Sequence, residues 1–415
     1  MSTGELALPR LSPLVRIGPQ EYVGGKVIRF AKHDLTCRYF RIGEREAFLL
    51  ERLDGNHDKD AIAAGYAAAF GVNLSDGSLQ NALALFVQRG LLEGADAPAA
   101  GGDAAHLEPE ENALSFRFYF WNPNRFITRI APHFRWLING PALAVWAGLL
   151  LLAELALVPH LPVLWDEAVR LNGITVLLRI AVLIAVYASV TLVHECAHAV
   201  ACKRYGGEVP EMGVMLRYFI FTAYTRIDDI LLFHERYKRF QVLAVGPMVN
   251  LTLIPIALAV WLNTPAESVA NMAAVDMLVW FNIGSLVQLL PFLQTDGYFM
   301  FAQFLHMPDL RKDASSYLVR RLLSLLTGRR MPPVSPACAS YVVPVYIVYG
   351  VLAFGATGAA LAYVLNRHAN TILTLFGNST GHVVVAVLGT FLAWRIIFQL
   401  VPWVRRQSRL LPESS

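Results

Sequence analysis

ITVLLRIAVLIAVYASVTLVHECAHAVACKR, residues 174–204, is an apolar run long enough to cross a bilayer, and it carries two histidines and a glutamate near one end. His194 and His198 are four residues apart, so on a helix they lie about one turn apart on the same face and can share one metal ion. Glu195 projects beside them, where a carboxylate can take a proton from water activated by that metal. Zn2+ suits two imidazoles with a general base alongside. Ionisable groups inside a span are expensive unless they find a functional partner.

The composition agrees with a lipid environment. Of 415 residues, 55% are hydrophobic and 16% are charged, against about a quarter charged in a typical soluble domain. Six segments are long enough to span, at 136–158, 174–203, 239–262, 273–293, 341–365 and 383–404. Arg117, Arg125, Arg129 and Arg135 precede the first, Lys203 and Arg204 follow the second, and Arg236, Lys238 and Arg239 open the third. Six more cations lie between the fourth and fifth (Arg311, Lys312, Arg320, Arg321, Arg329, Arg330), and Arg405, Arg406 and Arg409 close the chain. The opposite connections hold only Arg170 and Arg367, so both termini are expected in the cytoplasm, as for a multi-pass protein of the cell's inner membrane. No signal-peptide core opens the chain, so insertion is expected to be directed by the spans. Between the second and third spans, residues 206–230 are too polar to cross and read as one or two strands, covered by protein or lining a wet cavity. Residues 308–330 are amphipathic and are expected along the cytoplasmic interface.

Residues 1–95 form a separate polar region, followed by a flexible linker over 96–115 and the membrane domain over 116–415. Alternation in Lys26–Phe30 and Cys37–Ile42 predicts two strands. Helices are expected over Glu44–Leu53, Asp58–Phe70 and Ser78–Leu92, the last with Ser78 as its cap. This order suggests a small α+β winged-helix-like domain; it lacks a basic recognition stripe, which argues against nucleic acid as partner. The four scattered cysteines argue against a disulfide scaffold.

Two histidines need a further protein ligand. Asp296, before Gly297 at the cytoplasmic end of the fourth span, is the best candidate, with Gly297 letting the backbone turn the carboxylate inward. His306, Asp228 and Asp229 stand in reserve. Together with HECAH at 194–198, GPMVN at 246–250 and QLLPFLQTDG at 288–297 resemble the three motifs of the site-2 protease family of intramembrane zinc metalloproteases, especially its bacterial peptide zinc metalloprotease branch. Order and spacing agree over roughly residues 185–310. The resemblance implies that His194, His198 and Asp296 bind zinc, that Glu195 is the general base, and that Asn250 holds substrate backbone near the metal. Gln288 stands where that family has Asn, and Thr295 where it has Leu; Gln keeps the amide one methylene further out, which bears on substrate positioning. The N-terminal region looks like the PqqD-type winged-helix fold that grips leader peptides, so it is expected to add an extended peptide as a strand.

The expected fold is a mainly α membrane protein with six transmembrane helices, a short β segment near the active site and the small N-terminal domain. The expected function is a zinc-dependent intramembrane endopeptidase acting on a membrane-associated or ribosomally made, modified precursor peptide near the cytoplasmic face. The alternatives are a non-catalytic zinc-containing peptide-binding, export or immunity component, and a regulatory protease that releases a membrane-anchored signalling protein.

Overall fold

The computed structural model describes residues 8–94, 116–169, 173–217, 220–266, 268–376, 382–383, 385–387 and 400–412, and it is mostly helical with small sheets. The expected linker at 96–115 and most of the sixth expected span lie outside the described residues. The chain divides into two units, one of residues 1–20 and 28–305, the other of residues 21–27 and 306–415.

In the first unit, β1 (Val15–Ile17) pairs antiparallel with β3 (Lys26–His33), which also pairs with β4 (Arg38–Gly43); β2 (Glu21–Val23) belongs to the second unit. Phe40 and Ile42 on β4 point into a core with Leu50, Ile62 and Phe86 from α1 (Glu44–Arg52), α2 (Lys59–Phe70) and α3 (Asp76–Gln88). The third helix begins earlier than expected. Ser75 is its cap, accepting the Ser78 N–H at 3.2 Å, because a capping hydroxyl must stand three residues ahead of the donor it satisfies. Gly90, left-handed at φ 65°, follows the helix end.

The opposite face of this sheet does not face water. Phe30 and Tyr39 share a core with Ile127 and Ala131 of α4 (Asn124–Phe134) and with Ala199–Cys202 near the end of α7 (Gly173–Arg204). Beside it Lys32, 1% exposed, bridges to Asp229, 0% exposed, at 2.8 Å. Asp229 also accepts from Arg16, from the Tyr39 hydroxyl and from the Glu208 N–H. Two charges buried this deeply are tolerable because each is paired and its remaining valences are hydrogen-bonded.

Between α4 and α7 lie α5 (Gly140–Leu157), a single 3-10 turn, and α6 (Leu161–Val169); the stretch Gly140–Ala168 is continuously helical. After α7 the chain forms a hairpin of β6 (Met212–Arg217) and β7 (Ile220–Thr225), as the polar stretch 206–230 predicts. A third strand, β5 (Phe116–Trp121), pairs with β6, which the sequence reading did not anticipate. A 3-10 turn at Asp228–Leu232 leads into α8 (Arg236–Asn263). Next come α9 (Val269–Asp276), a π-helical turn at Met277–Phe281, α10 (Asn282–Gln288) and α11 (Asp296–Phe304).

Four helical stretches are long and apolar enough to cross a membrane: Gly140–Ala168, Leu177–Arg204, Arg236–Asn263 and Val269–Gln288. Their apolar cores are 11%, 6%, 50% and 44% buried within the protein, so the third is the central one and the first two leave their apolar surface outward. On α5, Val145, Leu149 and Leu152 are each at least 60% exposed, which is stable only against lipid or another apolar partner. Arg179, inside the second of these stretches, pairs with Asp276 through its Nε at 2.9 Å. The fourth ends at Gln288, short of the expected 293, because Pro291 cannot supply the N–H that continues a helix and disfavours helical backbone just before it.

The second unit contains α12 (Leu310–Thr327) and α13 (Val342–Phe376). On α12, Leu310 and Ala314 are fully buried while Leu322, Leu325 and Leu326 are exposed. The apolar part of α13 among described residues runs from Val342 to Ala356. Asp313 on α12 accepts the Gly24 N–H and the Tyr346 hydroxyl, tying the turn after β2 and the start of α13 to one carboxyl group.

Candidate metal centre

The centre is built where two helices of the first unit run in opposite directions against each other. On α7 the buried positions Val190, His194, His198 and Cys202 repeat every four residues. On α8 the buried positions Val242, Gly246, Asn250 and Ile254 do the same. Each row is a ridge along one helix, and the ridge of one packs against the other. His198 meets the earlier end of the α8 row and His194 the later end. The Nδ1 of His198 lies 2.7 Å from the Val242 carbonyl oxygen, and the Nδ1 of His194 lies 3.1 Å from Asn250 Oδ1. Both oxygens can only accept, so both Nδ1 atoms carry the hydrogen and both Nε2 atoms are left with a lone pair.

The two lone pairs converge. His194 Nε2 and His198 Nε2 are 3.0 Å apart, and the Asp296 carboxylate is 3.1 Å from the first and 3.5 Å from the second. Bonds of about 2.0–2.1 Å to a tetrahedral zinc place its ligand atoms about 3.3 Å from one another, so this spacing fits such an ion. Two nitrogens and a carboxylate are also the donor types zinc takes. Among the described residues these three are the one group of His, Cys, Asp or Glu so placed.

Gly246 forms the wall. A Cβ there would come within 2.2 Å of His198 Nε2 and 2.7 Å of His194 Nε2, so any side chain would occupy the space where the imidazoles converge. Gly297 serves differently from the expectation. Its φ is not positive; instead a Cβ would lie 2.2 Å from the Leu289 carbonyl oxygen, so glycine is needed for close backbone approach. Asp296 begins α11, where the helix N-terminus favours a carboxylate.

Glu195 lies on α7 between the two histidines, and its backbone carbonyl accepts the Thr225 hydroxyl at 3.3 Å. Strand β7 is thereby held along the side of α7 next to the centre, a second contact coming from the Tyr187 hydroxyl to the Phe221 carbonyl. Asn250 Nδ2 donates to Gln288 Oε1 at 2.8 Å, so both expected substrate-binding residues join the same cluster. The reserves do not. Asp228 pairs with Arg226, Asp229 with Lys32, and His306 lies against Glu21 in the second unit. Of the residues the sequence reading missed, Gly246 and Val242 were legible through their spacing of four from Asn250. Nothing in the sequence marks the Val242 carbonyl as an acceptor.

No protein-family model, curated protein or solved structure matches the chain.

Proposed function

We propose that this chain is a zinc-dependent endopeptidase that works within the membrane. The observation that carries the reading is the convergence of His194 Nε2, His198 Nε2 and the Asp296 carboxylate at 3.0–3.5 Å, with Glu195 on the same helix turn. His194, His198 and Asp296 would hold the ion, which when bound supplies Lewis-acid polarisation of a scissile carbonyl and of water. Glu195 takes the proton from the attacking water and passes it to the leaving amine. Its presence favours hydrolysis over a structural zinc site, which needs ligands but no base. Strand β7, whose one described strand partner is β6, offers an edge along which an extended substrate can align before the bond is cut.

The chain would cross the inner membrane six times with both termini in the cytoplasm, α13 supplying the fifth span and residues 383–404 the sixth. The N-terminal region would bind a leader or substrate peptide in winged-helix fashion, and the substrate would be a membrane-associated or modified precursor peptide. Metal analysis of the full chain purified in detergent tests the centre. About one zinc per chain is expected, lost in H194A/H198A; active protein free of metal would sink the proposal. E195Q should keep its zinc and lose cleavage of a membrane-anchored peptide, and retained cleavage would remove Glu195 from the mechanism.

A further inference from the structure

We propose that Gln288 is a positioning residue that sets the metal-binding form of His194 through Asn250, while Thr295, bonded to the backbone of residue 288, sets the placement of Asp296; this rests on the zinc reading above. Asn250 is 5% exposed, so no bulk water competes for its amide. An asparagine amide can sit either way round. Here its Nδ2 donates to Gln288 Oε1 at 2.8 Å, which leaves Oδ1 facing His194 Nδ1 at 3.1 Å. Because Oδ1 can only accept, His194 must keep its hydrogen on Nδ1 and its lone pair on Nε2, toward His198 and Asp296. Without the Gln288 oxygen the amide is free to turn. Its NH2 would then face Nδ1, demand the other tautomer and put a hydrogen on the nitrogen meant for the metal. Gln288 therefore selects the tautomer of a residue it does not touch.

The same residue acts on Asp296 through its backbone. Thr295 is the N-cap of α11, yet its hydroxyl makes no bond to that helix; it donates instead to the Gln288 carbonyl oxygen at 2.8 Å. The loop 289–295 is thereby closed on the residue where α10 ends, and Asp296, the next residue after Thr295, is carried with it. Gln288 and Thr295 are the two positions that depart from the resembled motif, and in the structure they bond to each other. A leucine at 295 has no hydrogen to donate, and an asparagine at 288 is one methylene shorter on the side toward Asn250. The bond from Thr295 goes to the backbone of residue 288, which any residue there supplies, so the two departures act side by side: Thr295 on Asp296, and the Gln288 amide oxygen, through Asn250, on His194.

The test is zinc affinity of the full chain in detergent, measured by competition with a chromogenic chelator, together with the visible spectrum of the cobalt(II)-loaded protein. Q288M keeps the shape and removes the acceptor; T295V keeps the shape and removes the donor; T295S keeps the donor. Loss of such outer partners typically weakens metal affinity by about 10–100-fold, so Q288M and T295V should fall by that factor with altered cobalt bands while T295S stays at wild type. Q288M/N250A should bind no more weakly than N250A, since both act along one path. Q288M and T295V that bind zinc as wild type and change only KM would overturn the proposal and make Gln288 a substrate contact. If Q288M does not fold, the T295V and T295S pair decides alone. A wild-type chain that binds no zinc would instead overturn the metal reading itself, and this positioning role with it.

Discussion

At the scale of single residues, the most informative position is one with no side chain. Gly246 leaves the only room in which the two Nε2 atoms can share an ion, because a methyl group would stand 2.2 Å from one of them. G246A should therefore fold and fall in zinc affinity by at least the roughly 10–100-fold of an outer-partner loss, checked by chelator competition alongside a melting curve. Undiminished affinity would mean that the ion sits elsewhere. How much of the centre the sequence reveals follows from the same chemistry. His194 and His198 are legible because four-residue spacing on a helix is a statement about faces. Asp296 is legible as a residue, but its setting at a helix start is not, since an Asp-Gly pair serves equally well to close a helix. The engagement of Asn250 with His194 is a through-space contact between residues 56 apart, for which no local pattern exists.

At the scale of elements, the buried pair of Lys32 and Asp229 joins β3 to the turn that precedes α8. D229N removes the one fully buried counter-charge of the Lys32 ammonium and leaves it Glu208 at 3.0 Å and Asp34 at 3.8 Å, both partly exposed, so destabilisation of up to about 3–5 kcal/mol is expected in thermal or denaturant unfolding. K32M/D229L, which removes both charges, should recover much of that loss. Burial works to raise the Asp229 carboxyl, but Lys32 and the hydrogen bonds of Tyr39 and Glu208 more than offset it and hold it below the ordinary carboxylate range. Its contribution is thus present above the unfolded carboxylate value of about 3.9 and is lost as pH falls through the lower folded value. Asp313 runs the other way. Burial pushes it up to about 6, the Gly24 N–H and Tyr346 hydroxyl offsetting this in part. Between about pH 4 and 6 the folded state keeps a proton that the unfolded chain has released, so stability should decline across that window by at most about 3 kcal/mol. Hydrogen exchange of α12 against pH would show the slope, and D313N should flatten it; an unchanged slope would discharge Asp313 from that role. Elements with a strong period were legible from sequence. Strand β5 was not, because its partner β6 lies some ninety residues on and its aromatic run reads equally as an interfacial flank.

At the scale of the whole chain, composition alone announced a lipid environment, and four stretches of spanning length bear that out. Where the loops lie is a matter of charge, and it is open to direct measurement. Single cysteines introduced at Arg204 and Arg405 should react with a membrane-impermeant thiol reagent only after the cytoplasmic side is opened; labelling from outside intact cells would invert the orientation. The sheet packed on the end of α7 has a further consequence, in time instead of space. Lys32 is synthesised 197 residues before the aspartate that neutralises it. At about 5–20 residues per second, the strand waits roughly 10–40 s for its partner. By the end of that interval the helix bearing the two histidines has been made, while Gly246 and Asp296 have not. Of the three groups that converge at the candidate centre the Asp296 carboxylate is the last to be made, so a chain halted before it holds the two imidazoles without their third partner.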